Sequence, residues 1–247
     1  MKQIIRLYEQ MSFNAHPSFD YQFYDGWLLR FAEGYSNRAN SVNMLYPSTI
    51  DLEKKIDECE RRYVAAHLAS VFKIIKGEHT QIDSILERRG YEIATPTDLE
   101  ILPLEKTNFT ERDCLWFDEP DKDWIDFWTT FEKYNQYVKK TAIRVIQKIQ
   151  NKALYVELIK DGKCVGCASS VMENGYAIIG NVVVDEKHRG KGYGRILCES
   201  LLSLLKKKGI HTAYLQVVQT NTPAVKLYAS LGFKKIYSYW YRVKDLV

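Results

Sequence analysis

Val182-Val183-Val184 leads through Asp185-Glu186-Lys187-His188 into Arg189-Gly190-Lys191-Gly192-Tyr193-Gly194-Arg195. A β-branched strand thus meets three glycines at alternate positions and then the start of a helix. Strand, glycine turn and helix N-terminus together make an anion site. Glycines let the backbone approach a phosphate closely, and unpaired N–H groups at the positive end of a helix dipole favour negative charge. Arg189, Lys191 and Arg195 add cationic side chains around it. A tight strand-to-helix turn alone would require fewer glycines and none of these cations. The spacing is neither G-x-x-x-x-G-K-[ST] nor a Rossmann G-x-G-x-x-G with an acidic residue at the next strand end, so those two nucleotide cradles are excluded.

Arg189-Gly190-Lys191-Gly192-Tyr193-Gly194 instead resembles the [R/Q]-x-x-G-x-[G/A] acyl-CoA motif of the GNAT family of N-acetyltransferases. A second string, Asn221-Thr222-Pro223-Ala224-Val225-Lys226-Leu227-Tyr228 with Ala229-Ser230-Leu231-Gly232-Phe233, is similar to that family's N-x-x-A-x-x-L-Y-x-x-x-G-F signature. On physical grounds it is a short helix, with Thr222 as N-cap, Pro223 at the first helical position and Gly232 just past the end. The resemblance spans residues 155–247. It implies an α+β fold of GNAT type, a mixed, mostly antiparallel sheet flanked by helices. It also implies acetyl-CoA as cosubstrate, no metal, and a small-molecule or peptide amine as acceptor.

The same resemblance implies roles for individual residues. Backbone amides of Gly190, Lys191, Gly192, Tyr193 and Gly194 would hold the pyrophosphate, with Arg189 and Arg195 beside them. The strand Val182-Val183-Val184 would extend backbone groups of Val182 and Val184 to the pantetheine arm. Asn221 would contact the cofactor, and Tyr228 would donate a proton to the departing CoA thiolate. A phenol, with a pKa near 10, is a neutral donor at pH 7; a core tyrosine with a satisfied hydroxyl is the alternative. Valine at position 192 or 194 is expected to obstruct the phosphate and abolish acetyl-CoA binding while leaving the fold intact. The implied reaction is direct attack of an amine on the thioester in a ternary complex, and a non-catalytic acyl-CoA-binding or regulatory module is the alternative. Some members carry a carboxylate base on the strand before the motif. Here the position nine residues before Arg189 is Gly180, flanked by Ile179 and Asn181. Proton removal is left to a water chain or to a carboxylate from elsewhere, such as Glu173.

The elements that must position these groups follow from periodicity and caps. The strand Tyr176–Val184 feeds the glycine turn. The helix after it places Leu197, Leu201, Leu204 and Leu205 on one face and ends with Lys206-Lys207-Lys208 before Gly209, as a helix C-terminus favours. Asp161-Gly162 predicts a hairpin between strands 155–160 and 163–172. Asp121 or Asp123 would cap a helix over 124–137, and a second helix fits 141–150. Trp124, Phe127, Trp128 and Phe131 recur at helical spacing; with Trp116, Phe117 and Tyr134 they make either a buried helix face or an aromatic pocket wall. Earlier in the chain a helix near 4–11 precedes strands at 26–31 and 41–46. Ser48 or Asp51 then caps a helix to about Ala66, with Leu52, Ile56, Cys59 and Tyr63 on one stripe. A strand at 71–75, a helix ending at Leu86-Glu87-Arg88-Arg89-Gly90 and a strand from Tyr91 through Leu102 follow. Arg38-Ala39-Asn40-Ser41-Val42-Asn43 is either a turn with capped backbone groups or a pocket contributor.

Cys164-Val165-Gly166-Cys167 could mean zinc or a redox pair. Its strand context predicts the two cysteines on opposite faces, packed rather than reactive.

The 247 residues, 46% hydrophobic and 27% charged, exclude wholesale disorder and a small disulfide scaffold. The net charge of +4 is spread along the chain and gives no argument for nucleic-acid binding, and the basic run Lys206–Lys208 reads as a helix C-terminus, so no nucleic-acid partner is expected. No run approaches the 18 apolar residues of a membrane span, Arg6 and Glu9 interrupt what a signal peptide would need, and five scattered cysteines suit reduced thiols. A cytoplasmic protein is expected.

Gly90 and Gly232 stand 142 residues apart, and the order strand, helix, glycine, aromatic, strand repeats between them without a gap. This predicts a degenerate GNAT-like unit over 1–108 and a catalytic unit over 109–247. The first has Leu86 where the second has Tyr228, and Tyr46-Pro47-Ser48-Thr49 where the second has its glycines. It would pack against the second and help build the amine pocket.

Overall fold

The computed structural model describes residues 1–112 and 114–245. The first part of the chain runs α1 (Gln3–Ala15), β1 (Asp20–Tyr24), β2 (Trp27–Phe31), β3 (Val42–Met44), α2 (Leu52–Ala65), β4 (Ser70–Ile75), α3 (Thr80–Arg88) and β5 (Glu92–Pro103). The rest runs β6 (Cys114–Phe117), α4 (Lys122–Phe131), α5 (Gln136–Gln147), β7 (Ala153–Lys160), β8 (Lys163–Glu173), β9 (Tyr176–Val184), α6 (Tyr193–Lys207), β10 (Thr212–Val218), α7 (Thr222–Leu231) and β11 (Lys234–Lys244).

The described strands form one sheet in the order β1-β2-β3-β4-β11-β5-β10-β9-β8-β7-β6. At its centre two strands change places. The last strand, β11, lies antiparallel between β4 and β5, and β5 lies antiparallel between β11 and β10. Leu99 therefore faces Gln216 on one side and Tyr237 on the other. Each part of the chain hydrogen-bonds its terminal strand into the other, which no periodicity within either part could announce.

The repeat is structural. β3-α2-β4-α3-β5 recurs as β9-α6-β10-α7-β11, and both β3/β4 and β9/β10 are parallel pairs. Gly90 and Gly232 follow α3 and α7 in the left-handed region, at φ +80° and +98°. His79 and Asn221 hold the matching N-cap positions. The chain thus has an α+β GNAT-type architecture built from two tandem units.

Helices cover both faces of the sheet. α6 packs Leu197, Leu201, Leu204 and Leu205 on Leu154, Val156, Ala213 and Leu215, while α2 and α3 pack Ile56, Tyr63 and Leu86 on Phe72 and Ile74. On the opposite face α1 sets Tyr8 and Met11 on Tyr214, Tyr237 and Tyr239, and α4 and α5 set Trp124, Trp128 and Ala142 on Tyr155 and Cys167.

Most elements form where caps and periodicity place them, and four expectations change. Asp51, not Ser48, caps α2 by accepting the Lys54 amide, because Ser48 is drawn to Asp25. α4 is capped by Asp121 but stops at Phe131: Lys133 turns left-handed at φ +59°, and Asn135 caps α5, which starts at Gln136. The cap of α7 is Asn221, not Thr222. Pro223 has no N–H, so the first amide the cap can reach is Ala224, which donates to Asn221 Oδ1 at 3.3 Å. Finally, Leu158 pairs with Gly166 but Ile159 with Cys164, so β8 carries a bulge. The extra residue returns Cys164 to the face of Cys167, correcting the alternation argument. Burial pushes the Cys164 thiol up to about 12, so both cysteines are protonated and inert at neutral pH. β1 escaped notice because its aromatic side chains, Tyr21 and Phe23, are exposed on the sheet edge and bury no alternating face.

Candidate active site

β9 and β10 run parallel from Tyr176/Thr212 to Ile179/Leu215 and then part. The cause lies in β9. On its other side the pairing with β8 jumps from Gly180/Ser169 to Val183/Cys167, a bulge centred on Asn181, whose φ is +53°. Asparagine is among the few residues that enter the left-handed region at low cost. Its Nδ2 donates to Ser169 Oγ at 2.9 Å, which holds the bulge. Beyond it the β10-facing edge of β9 has no ladder partner, and it opens on a cavity of about 440 Å³.

The gap crosses the sheet. Val182, Asn221, Ala224 and Tyr228 line the cavity together with residues of the opposite face: His16, Tyr35, Arg38, Trp128, Glu132, Tyr134, Tyr239 and Tyr241. Both units therefore build its wall. A larger groove of about 1010 Å³ runs past Asp118, Gln150, Asn151 and Glu173. It touches none of the motif residues, so the chemistry belongs to the smaller cavity.

At the end of β9 the chain makes one 3₁₀ turn, Glu186–His188, and enters the glycines. Gly190 and Gly192 are left-handed, at φ +75° and +81°, and a Cβ on either would meet nothing within 4 Å. Arg195 and Ile196 donate to the Gly192 carbonyl and start α6, and the amides of Gly192, Tyr193 and Gly194 before them donate to no backbone carbonyl among the described residues. The arrangement fits a pyrophosphate: open space, unspent amides and a helix N-terminus. Gly194 is different, since a Cβ there would lie 3.4 Å from Leu227 Cδ2. A methyl would make ordinary contact there, and a larger side chain would press on α7.

The flanking side chains are partly engaged. Arg189 Nε donates to the Val184 carbonyl at 3.1 Å. Arg195 pairs with Glu199 at 2.8 Å and bonds Ser230, while Lys191 is exposed. The Val183 side chain is buried against the α4 layer, and Val184 packs toward α6.

Tyr228 stands edge-on to Phe233, 5.9 Å between ring centres. Its hydroxyl has no hydrogen-bond partner among the described residues, and burial raises its pKa far above 10. Its side chain lines the cavity, and burial keeps the phenol neutral there. Glu173 lies elsewhere, accepting from Asn14 and Asn151. The carboxylate in the cavity is Glu132, at the α4 C-terminus. Burial of its carboxyl end raises its pKa, against the pull of Arg189 and Arg38; its exposed flank keeps that push small. The sequence hid it because 124–137 reads as one helix. Of the aromatic cluster, Trp124 is core, whereas Trp128 and Tyr134 wall the cavity. In the segment 38–43 both readings hold. Asn40 and Asn43 cap local backbone, while Arg38 lines the cavity.

In the first unit the corresponding loop is engaged internally. Between β3 and α2 the carboxylate of Asp25 accepts the amides of Thr49 and Ile50, the hydroxyls of Ser48 and Thr49, and Lys55 Nζ. These bonds hold its pKa far below the usual carboxylate range. An internal anion occupies the donors of that loop. Among the described residues no group of three His, Cys, Asp or Glu side chains is placed to hold a metal, and no helix is long and apolar enough to cross a membrane.

Known proteins agree with this geometry. The Acetyltransferase (GNAT) family model matches residues 113–233. The chain is 28% identical to the uncharacterized N-acetyltransferase YobR of Bacillus subtilis, over 97% of its own length and 98% of the relative. It is 35% identical to the [ribosomal protein bS18]-alanine N-acetyltransferase of Escherichia coli over 33% of its length, covering 55% of that relative. In three dimensions it resembles a GCN5-related N-acetyltransferase from Kribbella flavida, with a TM-score of 0.75 at 12% identity over 100% of this chain and 98% of the other. Through the unit that carries the glycine cradle and Tyr228, the chain belongs to the GNAT family of N-acetyltransferases.

Proposed function

We propose that this N-acetyltransferase moves the acetyl group of acetyl-CoA to a primary amine by direct attack in a ternary complex. The observation that carries the reading is the parting of β9 and β10, which opens a polar cavity lined by Val182, Asn221 and Tyr228 on the strand that runs on into the glycine turn. The amides of Gly190 to Gly194 hold the pyrophosphate, with Arg189, Lys191 and Arg195 around it. The free edge of Val182 to Val184 takes the pantetheine arm as an added strand, and Asn221 flanks it. The thioester then lies in the gap, within reach of Tyr228 and of an amine in the cavity.

The amine nitrogen attacks the thioester carbon, forming C–N as C–S breaks. One proton leaves the nitrogen and one reaches the thiolate. Tyr228 supplies the second, its burial keeping it protonated until the sulfur charge develops. Glu132 is the carboxylate available for the first. A backbone N–H at the Asn181 bulge stabilises the developing oxyanion. Residues 1–108 supply cavity wall and 109–247 the cofactor site. A cytoplasmic setting completes this reading.

A thiol-release assay with acetyl-CoA and an amine panel tests this. Turnover that falls about 10²-fold or more in Tyr228→Phe, the scale of one general acid, is expected, with acetyl-CoA binding kept. Binding without turnover of any amine, unchanged by Tyr228→Phe, is the outcome that favours a non-catalytic acyl-CoA module.

A further inference from the structure

The far wall of the cavity holds hydrogen-bonding groups that no described residue satisfies. Arg38 lines it, and its guanidinium makes no hydrogen bond or ion pair with any described side chain. Tyr35, Tyr134, Tyr239 and Tyr241 stand near enough to act on it electrostatically. Two of these neighbours lead to further donors. Tyr241 is 4% exposed and its hydroxyl is without a partner. Trp128, edge-on to Tyr134 at 5.5 Å, is 2% exposed and its indole N–H is likewise without a partner.

Orphaned buried donors are costly unless something fills them, since each loses its water without gaining a bond. The matching ligand is an anion with several acceptor oxygens. A guanidinium fork fits a carboxylate in particular, with parallel N–H···O bonds. Glu132, the carboxylate of the same cavity, lies at the end of α4, where it feels both Arg189 and Arg38. A cation near Glu132 and an anion at Arg38 describe one molecule, an amine that also bears a carboxylate. A polyamine or aminoglycoside would bring further positive charge against Arg38.

Resting on the acetyl-transfer reading above, we propose that the acceptor is an amino-carboxylate, a free amino acid, whose carboxylate is held by Arg38 with Tyr241 and Trp128. Arg38 is then the residue of the first unit that selects the substrate of the second.

The test compares free amino acids with their amides, with the corresponding aminophosphonates and with spermidine, in thiol release with acetyl-CoA. Free amino acids should exceed their amides by at least 100-fold in kcat/KM. In Arg38→Gln this preference should collapse toward 1 through KM for the acid, with KM for acetyl-CoA within twofold of the parent enzyme. Amides or spermidine accepted as well as the acids overturn the proposal, as does a preference that survives Arg38→Gln. Aminophosphonates favoured over the acids overturn the choice of carboxylate. If no amine is turned over, the catalytic reading fails, and calorimetry of N-acetylglycine and N-acetylphenylalanine with the CoA-saturated protein decides the anion site. Binding that weakens at least tenfold in Arg38→Gln supports the site, and no binding overturns it.

Discussion

Asn181 Nδ2 donates to Ser169 Oγ at 2.9 Å, and this bond ties the left-handed residue of β9 to the strand beside it. The bulge it secures lies where β9 leaves β10, so a contact between two small polar side chains sets the width of the gap. Replacing Asn181 by valine places a β-branched residue at φ +53°, at a cost of about 1–2 kcal/mol. We expect Asn181→Val to lower both thermal stability and kcat, and Asn181→Gly to keep most of the stability. Thermal unfolding and steady-state kinetics on the pair check this. Equal stability for the two variants would refute the role of the bulge.

Gly192 and Gly194 serve different purposes. At Gly192 a side chain meets open space but a strained φ of +81°, so Gly192→Val should weaken acetyl-CoA binding by at least about tenfold, or 1.4 kcal/mol. At Gly194 a side chain larger than methyl presses on Leu227, so Gly194→Val should destabilise the fold by about 1–3 kcal/mol as well. Calorimetry with acetyl-CoA and urea unfolding separate the two effects.

The exchanged centre of the sheet contains a buried ion pair. Glu9 of α1 accepts from Lys73 of β4 at 2.7 Å and from the Tyr237 hydroxyl of β11 at 2.6 Å. Lys73→Met leaves a buried carboxylate without its cation and should cost about 3–5 kcal/mol in urea unfolding. The double variant Lys73→Met/Glu9→Gln should recover part of the loss. A double variant no more stable than the single one would show that the charge is not the cause.

His16 stacks on Tyr35, 5.8 Å between centres, with Arg30 and Arg38 nearby. Burial first and then those cations push its pKa well below 6.5. The unfolded chain binds the proton near pH 6.5 and the folded chain only well below it. Stability is therefore full above about pH 6.5 and declines as pH falls toward the folded value, by at most about 1.4 kcal/mol per unit. His16→Gln should flatten this part of the curve. Chemical denaturation at pH 7.5 and 5.5 measures it, and parallel declines in both proteins would exclude His16 as the cause.

The cofactor side was legible in the linear chain because it is local. A strand, glycines at alternate positions and a helix start are adjacent in sequence, and left-handed φ at Gly190, Gly192 and Gly232 demands glycine or its few substitutes. The repeat was legible for the same reason: each unit spells strand, helix, glycine and strand in order.

What tertiary structure alone decided is everything made by strands that meet from a distance. β5 and β11 change places between units, an outcome of long-range hydrogen bonding that leaves no trace in the composition of either strand. The acceptor cavity follows from it, since Tyr239 and Tyr241 of β11 reach Arg38 only through that exchange. Glu132 enters the same cavity because one left-handed residue, Lys133, ends a helix that periodicity would have continued. Local backbone rules write the proposed phosphate site into the sequence; the proposed amine site draws on side chains up to 203 residues apart, Arg38 and Tyr241, and only folding brings them together.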